Sequence, residues 1–406
     1  MFDLDVVRSH FPAFDHGNKP HFFENAGGSF ACRQTADALH RFYVETKVQP
    51  YYSFAESATA GELMDRSHAR WAEALGVDDD EIVFGPSTSA NTYVLAHAFA
   101  QLLGPGDEVI VTNQDHEANT GATRRMAQAT GATLREWSVD PETALLSVAD
   151  LASMVNERTR LIAFPHCSNI VGAENDVAAV CALAKEAGAW TIVDGVSYAP
   201  HGFADVGAMG ADVYLFSLYK TYSVHQGLMV LRNELAETLP NQSHHFNGGV
   251  PRKRMNPAGP DHAQVASSAA VLDYVEATNP GHSDLRATCQ AALHAWQDHE
   301  QALLQPLLRM LDARAGVRVI GPTEAASGRH RCPTVAFVSE HMASGEIEQK
   351  LVAAGLMASS GNFYAQRVLD AVGVNPDDGV VRLSFVHYTS AGDIDELLTA
   401  LDTVLP

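Results

Sequence analysis

Residues 189–232 read AWTIVDGVSYAPHGFADVGAMGADVYLFSLYKTYSVHQGLMVLR. Three runs inside this stretch, AWTIVDGVS, DVYLFSL and GLMVLR, are rich in Val, Ile, Leu and aromatics, as strands of a buried sheet are. Two of them end on polar residues, Asp194 and Ser217, and Lys220 follows Ser217 in the pattern S-x-x-K. Toward the N-terminus the pattern repeats. EIVFG, DEVIVTN, TLREWSV and TRLIAFPHCS read as strands, with amphipathic stretches Asn91–Leu103, His116–Gly131 and Val177–Gly188 between them. Such alternation predicts an α/β fold, a mostly parallel central sheet with helices on both faces. Polar residues gather at the C-terminal strand ends (Thr112-Asn113, His166 to Asn169, Asp194, Ser217). In open α/β sheets that edge binds ligands, so the site is expected there.

Beyond about residue 265 the character changes. Long helical patterns (Ala263–Glu276, Ser283–Arg314) precede two strands, TVAFVS and VVRLSF, and a closing helix, Ala391–Val404. The expected division is a large α/β domain, 20–265, and a smaller α+β domain built from 1–19 and 266–406. Asn241–Asp261, rich in Gly, Pro and Asn, reads as an irregular crossover or dimer arm. A net charge of −22 repels phosphate backbones and anionic lipid heads, which sets nucleic-acid and membrane-surface roles aside. The five scattered cysteines include no C-x-x-C pair and their odd count does not suit a secreted disulfide framework. The opening MFDLDVVRSHFPAFD lacks the apolar core of a signal peptide, and no stretch is long and apolar enough to span a bilayer. The expected compartment is the cytoplasm.

Three constellations carry chemistry. A lysine just past a strand end, facing a carboxylate at a neighbouring strand end, can lose its charge through burial and act as a nucleophile; Lys220 and Asp194 fit that description. The loop Gly85-Pro86-Ser87-Thr88-Ser89-Ala90-Asn91 joins a strand to a helix, where small hydroxyl residues and free N–H groups suit a phosphate. It is neither a P-loop nor a dinucleotide fingerprint. His116-Glu117-Ala118-Asn119-Thr120 starts like a zinc-binding H-E-x-x-H but carries Thr at the second histidine, so no metal site is expected. A histidine at that strand-to-helix junction suits a place over a planar cofactor.

Taken in order along the chain, these residues resemble the class V aminotransferase branch of fold-type I pyridoxal-phosphate enzymes, closest to the cysteine-desulfurase group. The resemblance runs from His21-Phe22-Phe23-Glu24-Asn25-Ala26-Gly27-Gly28 to the final helix and is most specific between Val193 and Gly227. It implies that Lys220 carries the cofactor, pyridoxal 5′-phosphate, and that Asp194 keeps the pyridine nitrogen protonated. It implies further that His116 stacks on the ring and helps move protons. Ser87, Thr88 and Ser217 would hold the phosphate, and Asn169 and Ser197 would lie beside the ring hydroxyl. Arg382 of V-R-L-S-F would pair with the substrate α-carboxylate, a task that suits a guanidinium. Asn25, Asn169 and Tyr364 would join it around the substrate, and His262 would reach the phosphate of a partner subunit in a homodimer.

The departures are as informative. The mobile-loop cysteine of desulfurases should fall in S-S-G-N-F-Y-A-Q (359–366), but position 364 is Tyr and no cysteine is near. Ser197 stands where a glutamine is usual, Tyr219 replaces the histidine before the lysine, and Tyr51 and Tyr52 promise a more aromatic pocket. The expected function is therefore pyridoxal-phosphate chemistry at the α- or β-carbon of an amino acid without a persulfide, by β-elimination or transamination, with epimerisation as an alternative. S-x-x-K also marks serine acyl hydrolases, but there Ser and Lys sit on one helix with S-D-N and K-T-G support, both missing here. A non-catalytic binding role does not explain why Lys, Asp, His and Arg are kept together.

Overall fold

The computed structural model describes residues 2–17, 21–323 and 331–406. The expected domain boundary between 19 and 20 lies outside the described residues. A two-residue strand, β1 (His21–Phe22), precedes the large sheet. All seven strands read from the sequence then form: β2 (Ile82–Gly85), β3 (Glu108–Thr112), β4 (Thr133–Trp137), β5 (Thr159–Pro165), β6 (Trp190–Asp194), β7 (Val213–Ser217) and β8 (Gly227–Leu231). They lie in the order β2-β8-β7-β6-β5-β3-β4. Neighbours from β7 to β4 are parallel, while β8 runs antiparallel to both β7 and β2. The reversal at β8 has a simple cause, because residues 218–226 are too few for the crossover that a parallel return needs.

Successive residues on each strand face opposite cores. Ile110, Ile162, Phe164, Val193 and Tyr214 pack with one buried cluster, and Val109, Val111, Leu161, Ile192 and Leu215 with another. Helices α1 (Leu4–Ser9), α2 (Arg33–Glu45), α3 (Ala55–Leu75), α4 (Thr88–Phe99) and α5 (Glu117–Thr130) precede or interleave the first strands.

The C-terminal part holds β9 (Val317–Val319), β10 (Thr334–Ser339), β11 (Leu356–Met357), β12 (Ser359–Gly361) and β13 (Val380–Ser384). Four of them make an antiparallel sheet, β12-β13-β10-β9, twice the strands expected; β9 and β12 span three residues each, too short for a periodic signal. Leu303, Leu304, Leu307, Leu308 and Leu311 of the helix Leu285–Asp312 form a helical-period stripe in its core. β1 pairs in parallel with β11, and Glu24 bridges Ser384.

The helix expected over Ala263–Glu276 is two helices, His262–Ser268 and Ala270–Thr278. Ser268 explains the break. Its hydroxyl donates to the Val265 carbonyl (2.8 Å) and accepts from Trp71 Nε1 (3.2 Å), while its carbonyl takes the Ser223 hydroxyl (3.0 Å).

Candidate active site

β3 sits between β4 and β5, so the chain turns to opposite sides of the sheet around it, and the crevice at that switch point opens at the C-terminal strand ends. Asp115 and His116 follow β3, Cys167 and Asn169 follow β5, Asp194 ends β6, and Ser217 and Lys220 follow from β7. Together with Thr88, Ser89, Ser197 and Tyr219 they line an inner pocket of about 500 Å³. It opens into an outer cleft of about 1110 Å³ that adds Glu24, Tyr93, Arg125, Phe363, Tyr364 and Arg382. Lys220, His116 and Asn169 border both.

The N-terminus of α4 closes one end of the inner pocket. Ser87 caps that helix, its hydroxyl accepting from Ala90 N (3.1 Å), while the Thr88 and Ser217 hydroxyls lie 2.8 Å apart. This corrects the expectation for Ser87: Thr88 and Ser89 line the pocket and Ser87 does not. Gly227 makes the arrangement possible. A Cβ there would meet the Ser87 carbonyl carbon at 2.4 Å and Thr88 N at 2.5 Å, so only glycine lets β8 pass beneath the helix end.

Burial and charge set the protonation states. Burial, with help from Arg382, brings the Lys220 ammonium down from 10.5 to about 8, against the opposing pull of Asp194 and Glu24. Asp194 is raised by burial, with an N–H from Val196 (2.8 Å) and the Lys220 charge pulling the other way. Asp115, buried and facing Asp194, is raised further still. It holds Asn119 Nδ2 (2.5 Å) and the His116 amide (2.8 Å). His116 is lowered to about 4 by burial and then by Lys220 and Arg382. Its Nδ1 accepts from Ala118 N (3.0 Å) at the start of α5, so the neutral ring carries its proton on Nε2.

Arg382 is almost fully buried. It donates to Glu24 Oε1 (2.6 Å) and the Asn169 carbonyl (3.4 Å), and its guanidinium lies 3.7 Å from the Phe363 ring centroid. Asn169 Nδ2 donates to the Phe363 carbonyl (3.0 Å), leaving its Oδ1 buried without a partner. Tyr364 stands 73% exposed at the mouth, its ring 5.4 Å from that of His116.

Other expected site residues lie elsewhere. Asn25 donates to the Phe22 and Ser384 carbonyls and accepts from Tyr388, so its side chain is satisfied inside the protein; Glu24 beside it faces the cleft. His262 lines a separate cleft with Tyr51, His68, His244 and Arg252, away from Lys220 of the same chain. Tyr51 and Tyr52 are exposed and do not line the Lys220 cleft. Sequence reading missed Glu24, Ser89, Asp115 and Phe363, although Glu24, Ser89 and Phe363 lie within motifs it had singled out and Asp115 adjoins one. Among the described residues no group of His, Cys, Asp and Glu could hold a metal ion.

The donor set fits pyridoxal phosphate. It offers a helix N-terminus with two hydroxyls for an anion, a lysine of lowered basicity, a buried carboxylate and an orphaned Asn169 oxygen for a ring hydroxyl. The family model for "Aminotransferase class-V" matches residues 21–397. The chain is 33% identical over its full length to "Aminotransferase-like protein FGM3" of Gibberella zeae, covering 99% of that protein. It is 28% identical to a "Probable cysteine desulfurase" of Streptomyces coelicolor, covering 100% of this chain and 97% of that one. Among solved structures, the cysteine desulfurase CsdA of Escherichia coli superposes with a TM-score of 0.83 at 25% identity, over 100% of this chain and 98% of that one. With a lysine, a carboxylate and a hydroxyl-lined helix end on this fold, the chain belongs to the class V aminotransferases, as a pyridoxal-phosphate-dependent enzyme of the cysteine-desulfurase-like group.

Proposed function

We propose that the enzyme removes a β-substituent from an α-amino acid, consuming one water and releasing a keto acid, ammonia and the protonated leaving group, with no sulfur passing through a protein thiol. One observation carries this reading: Lys220, His116 and Arg382 converge on one cleft, and Phe363 and Tyr364 line its edge, with no cysteine in the loop. Cys167 borders the inner pocket, but its thiol is directed to the Gly172 carbonyl (3.2 Å). Cys332 is buried and its thiol is pushed well above the usual range by burial.

When bound, the cofactor supplies an electron sink for the pair left at the α-carbon. Arg382 binds the α-carboxylate and fixes which α-bond faces the base. Lys220 Nζ, titrating near neutrality, takes the α-proton and can return it. His116, neutral with its proton on Nε2, covers the inner pocket and offers a donor without adding charge. Tyr364 O–H donates a proton to the departing β-substituent at the mouth, and Asn169 ties that loop to the pocket.

Transamination is the second reading, favoured because Lys220 alone can move a proton between two carbons without help from Tyr364. The test is S-methyl-L-cysteine, whose thiolate leaves poorly unless it is protonated, with the wild type and Tyr364→Phe. Pyruvate and ammonia formed over many turnovers, and slowed in the variant, support elimination. One turnover that stalls until a keto acid is added, equal in both proteins, supports transamination instead.

Tyr51, Tyr52, Phe54 and Phe246 are exposed aromatics, and Tyr51 borders the cleft that holds His262. A second copy covering this face, with His262 reaching the partner's phosphate site, is part of the proposal. So is a reducing, cytoplasmic setting, supported by five buried free thiols. Among the described residues no helix is long and apolar enough to cross a membrane.

A further inference from the structure

Glu24 has no place in the mechanism above, yet its carboxylate sits on the group that mechanism needs. Oε1 accepts from Arg382 Nη2 (2.6 Å) and from the Ser359 hydroxyl (3.1 Å). The two partners are unequal. Arg382 is 4% exposed and fixed by the Asn169 carbonyl and the Phe363 ring, whereas the Glu24 side chain is 27% exposed and borders the open cleft. If the pair opens, the carboxylate can turn to water and the guanidinium cannot. Arg382 also keeps a buried Nε–H with no partner, an unused donor beside the occupied one.

Gly27 shows how the carboxylate gets there. The chain turns at Glu24, with Gly27 N donating to the Glu24 carbonyl (3.0 Å), and the side chain folds back across the turn. A Cβ on Gly27 would lie 2.0 Å from Glu24 Oε2 and 2.6 Å from its Cδ. The φ of Gly27 is not positive, so an alanine fits the backbone there and the Glu24 carboxylate is what must give way.

We propose that Glu24 is a built-in competitor for the substrate-carboxylate site and so a specificity-determining residue: it occupies Arg382 in the free enzyme and leaves when a substrate carboxylate arrives. It rests on the reading of Arg382 as the carboxylate anchor. The consequence has an unusual sign. Removing a competitor tightens binding, because the apparent dissociation constant of a ligand is its intrinsic value divided by the fraction of sites that are free to accept it. The same device selects substrates. A ligand that meets Arg382 with two oxygens and also uses the idle Nε–H displaces Glu24, whereas a carboxamide or an amine without a carboxylate does not.

The test uses the cofactor-loaded enzyme and two unreactive probes, isobutyrate and isobutyramide, with binding followed by calorimetry. Glu24→Gln keeps the shape and removes the charge; Gly27→Ala keeps the charge and pushes it aside; Arg382→Ala removes the anchor. Both Glu24→Gln and Gly27→Ala are expected to bind isobutyrate about tenfold more tightly than wild type, with isobutyramide unchanged. In Glu24→Gln/Arg382→Ala the gain should vanish. Isobutyrate affinity that is unchanged or weaker in Glu24→Gln, while Arg382→Ala loses binding, overturns the competitor and leaves the anchor standing. Equal isobutyrate affinity in wild type and Arg382→Ala overturns the anchor itself, and the competitor with it. Cofactor absorbance and the thermal midpoint of each variant report whether the fold is intact.

Discussion

Lys220→Met should make the apoenzyme more stable, although it removes the residue proposed to carry the chemistry. The lysine is half-buried, open only toward the cleft, and its ammonium is largely stripped of water. Lowering it from 10.5 to about 8 means that holding the charge in the folded state costs about 3 kcal/mol at roughly 1.4 kcal/mol per tenfold. That cost already includes the attraction to Asp194, so Lys220→Met is expected to gain about 3 kcal/mol near neutral pH. The sign follows from proton counting. Between about 8 and 10.5 the unfolded chain binds more protons than the folded one, so wild-type stability rises with pH across that window. Below it the full penalty applies. The stabilisation by Lys220→Met should therefore be largest at or below about pH 7 and fall to about 1.4 kcal/mol by roughly pH 9.5. Urea denaturation of both apoproteins at the two pH values measures it. A variant less stable than wild type near pH 7, or a difference that does not shrink on the alkaline side, refutes the reasoning.

Incubation with L-cysteine and no external reductant should leave all five cysteines unmodified by mass spectrometry, since those at 167 and 332 are buried and none lies in the 359–366 loop; stoichiometric protein persulfide refutes this. Sedimentation should show a dimer, and His262→Ala should weaken cofactor retention, whereas an active, fully loaded monomer contradicts both. Asn169→Ala removes the bond to the Phe363 carbonyl and should raise hydrogen exchange at 362–365, with a stability loss of about 1 kcal/mol; unchanged exchange there would show that the bond does not hold the loop.

The fold and the inner half of the site were legible for the same reason. β-branched and aromatic runs buried on both faces announce the parallel strands, and a parallel sheet delivers its catalytic residues at the ends of those runs. Asp194, Ser217, Lys220, His116 and Asn169 therefore stand beside their own strand signals. Asp115 escaped notice although it adjoins His116, because a lone acid before a helix reads first as a cap. The outer half was not legible from local pattern. Arg382 lies inside β13 and meets Glu24, more than three hundred residues away, through the β1–β11 pairing and the Ser384 bridge. Asn25 was expected at the substrate through the resemblance, while Glu24 beside it was not singled out. In the fold Asn25 answers backbone carbonyls and the Tyr388 hydroxyl. His262 and Tyr51 are near neither Lys220 nor Arg382 in this chain, which only a second copy could change.

In the proposed reading, the 359–366 loop departs from that of a persulfide-forming enzyme in more than a missing thiol. A sulfur acceptor on a mobile loop must swing into the cleft and out again. Here Phe363 and Tyr364 both hold left-handed backbone, φ 49° and 57°, a conformation that costs a non-glycine residue about 1–2 kcal/mol. Strain of that kind persists only where the surroundings hold it. Four contacts do so: Asn169 to the Phe363 carbonyl, the Glu117 amide at the start of α5 to the Tyr364 carbonyl (2.8 Å), Asn362 Oδ1 to the Tyr364 amide (3.1 Å), and the Phe363 ring on Arg382. Two of these four use Asn169 and Arg382, so moving the loop would release the side chain expected beside the cofactor ring and uncover the one expected to hold the carboxylate. A delivery arm cannot be wired to the groups that must stay still during the reaction. A wall can. In the proposed reading, tyrosine in place of cysteine and the pinning of the loop belong together, and the loop serves as a fixed edge of the substrate cleft rather than as a carrier of sulfur.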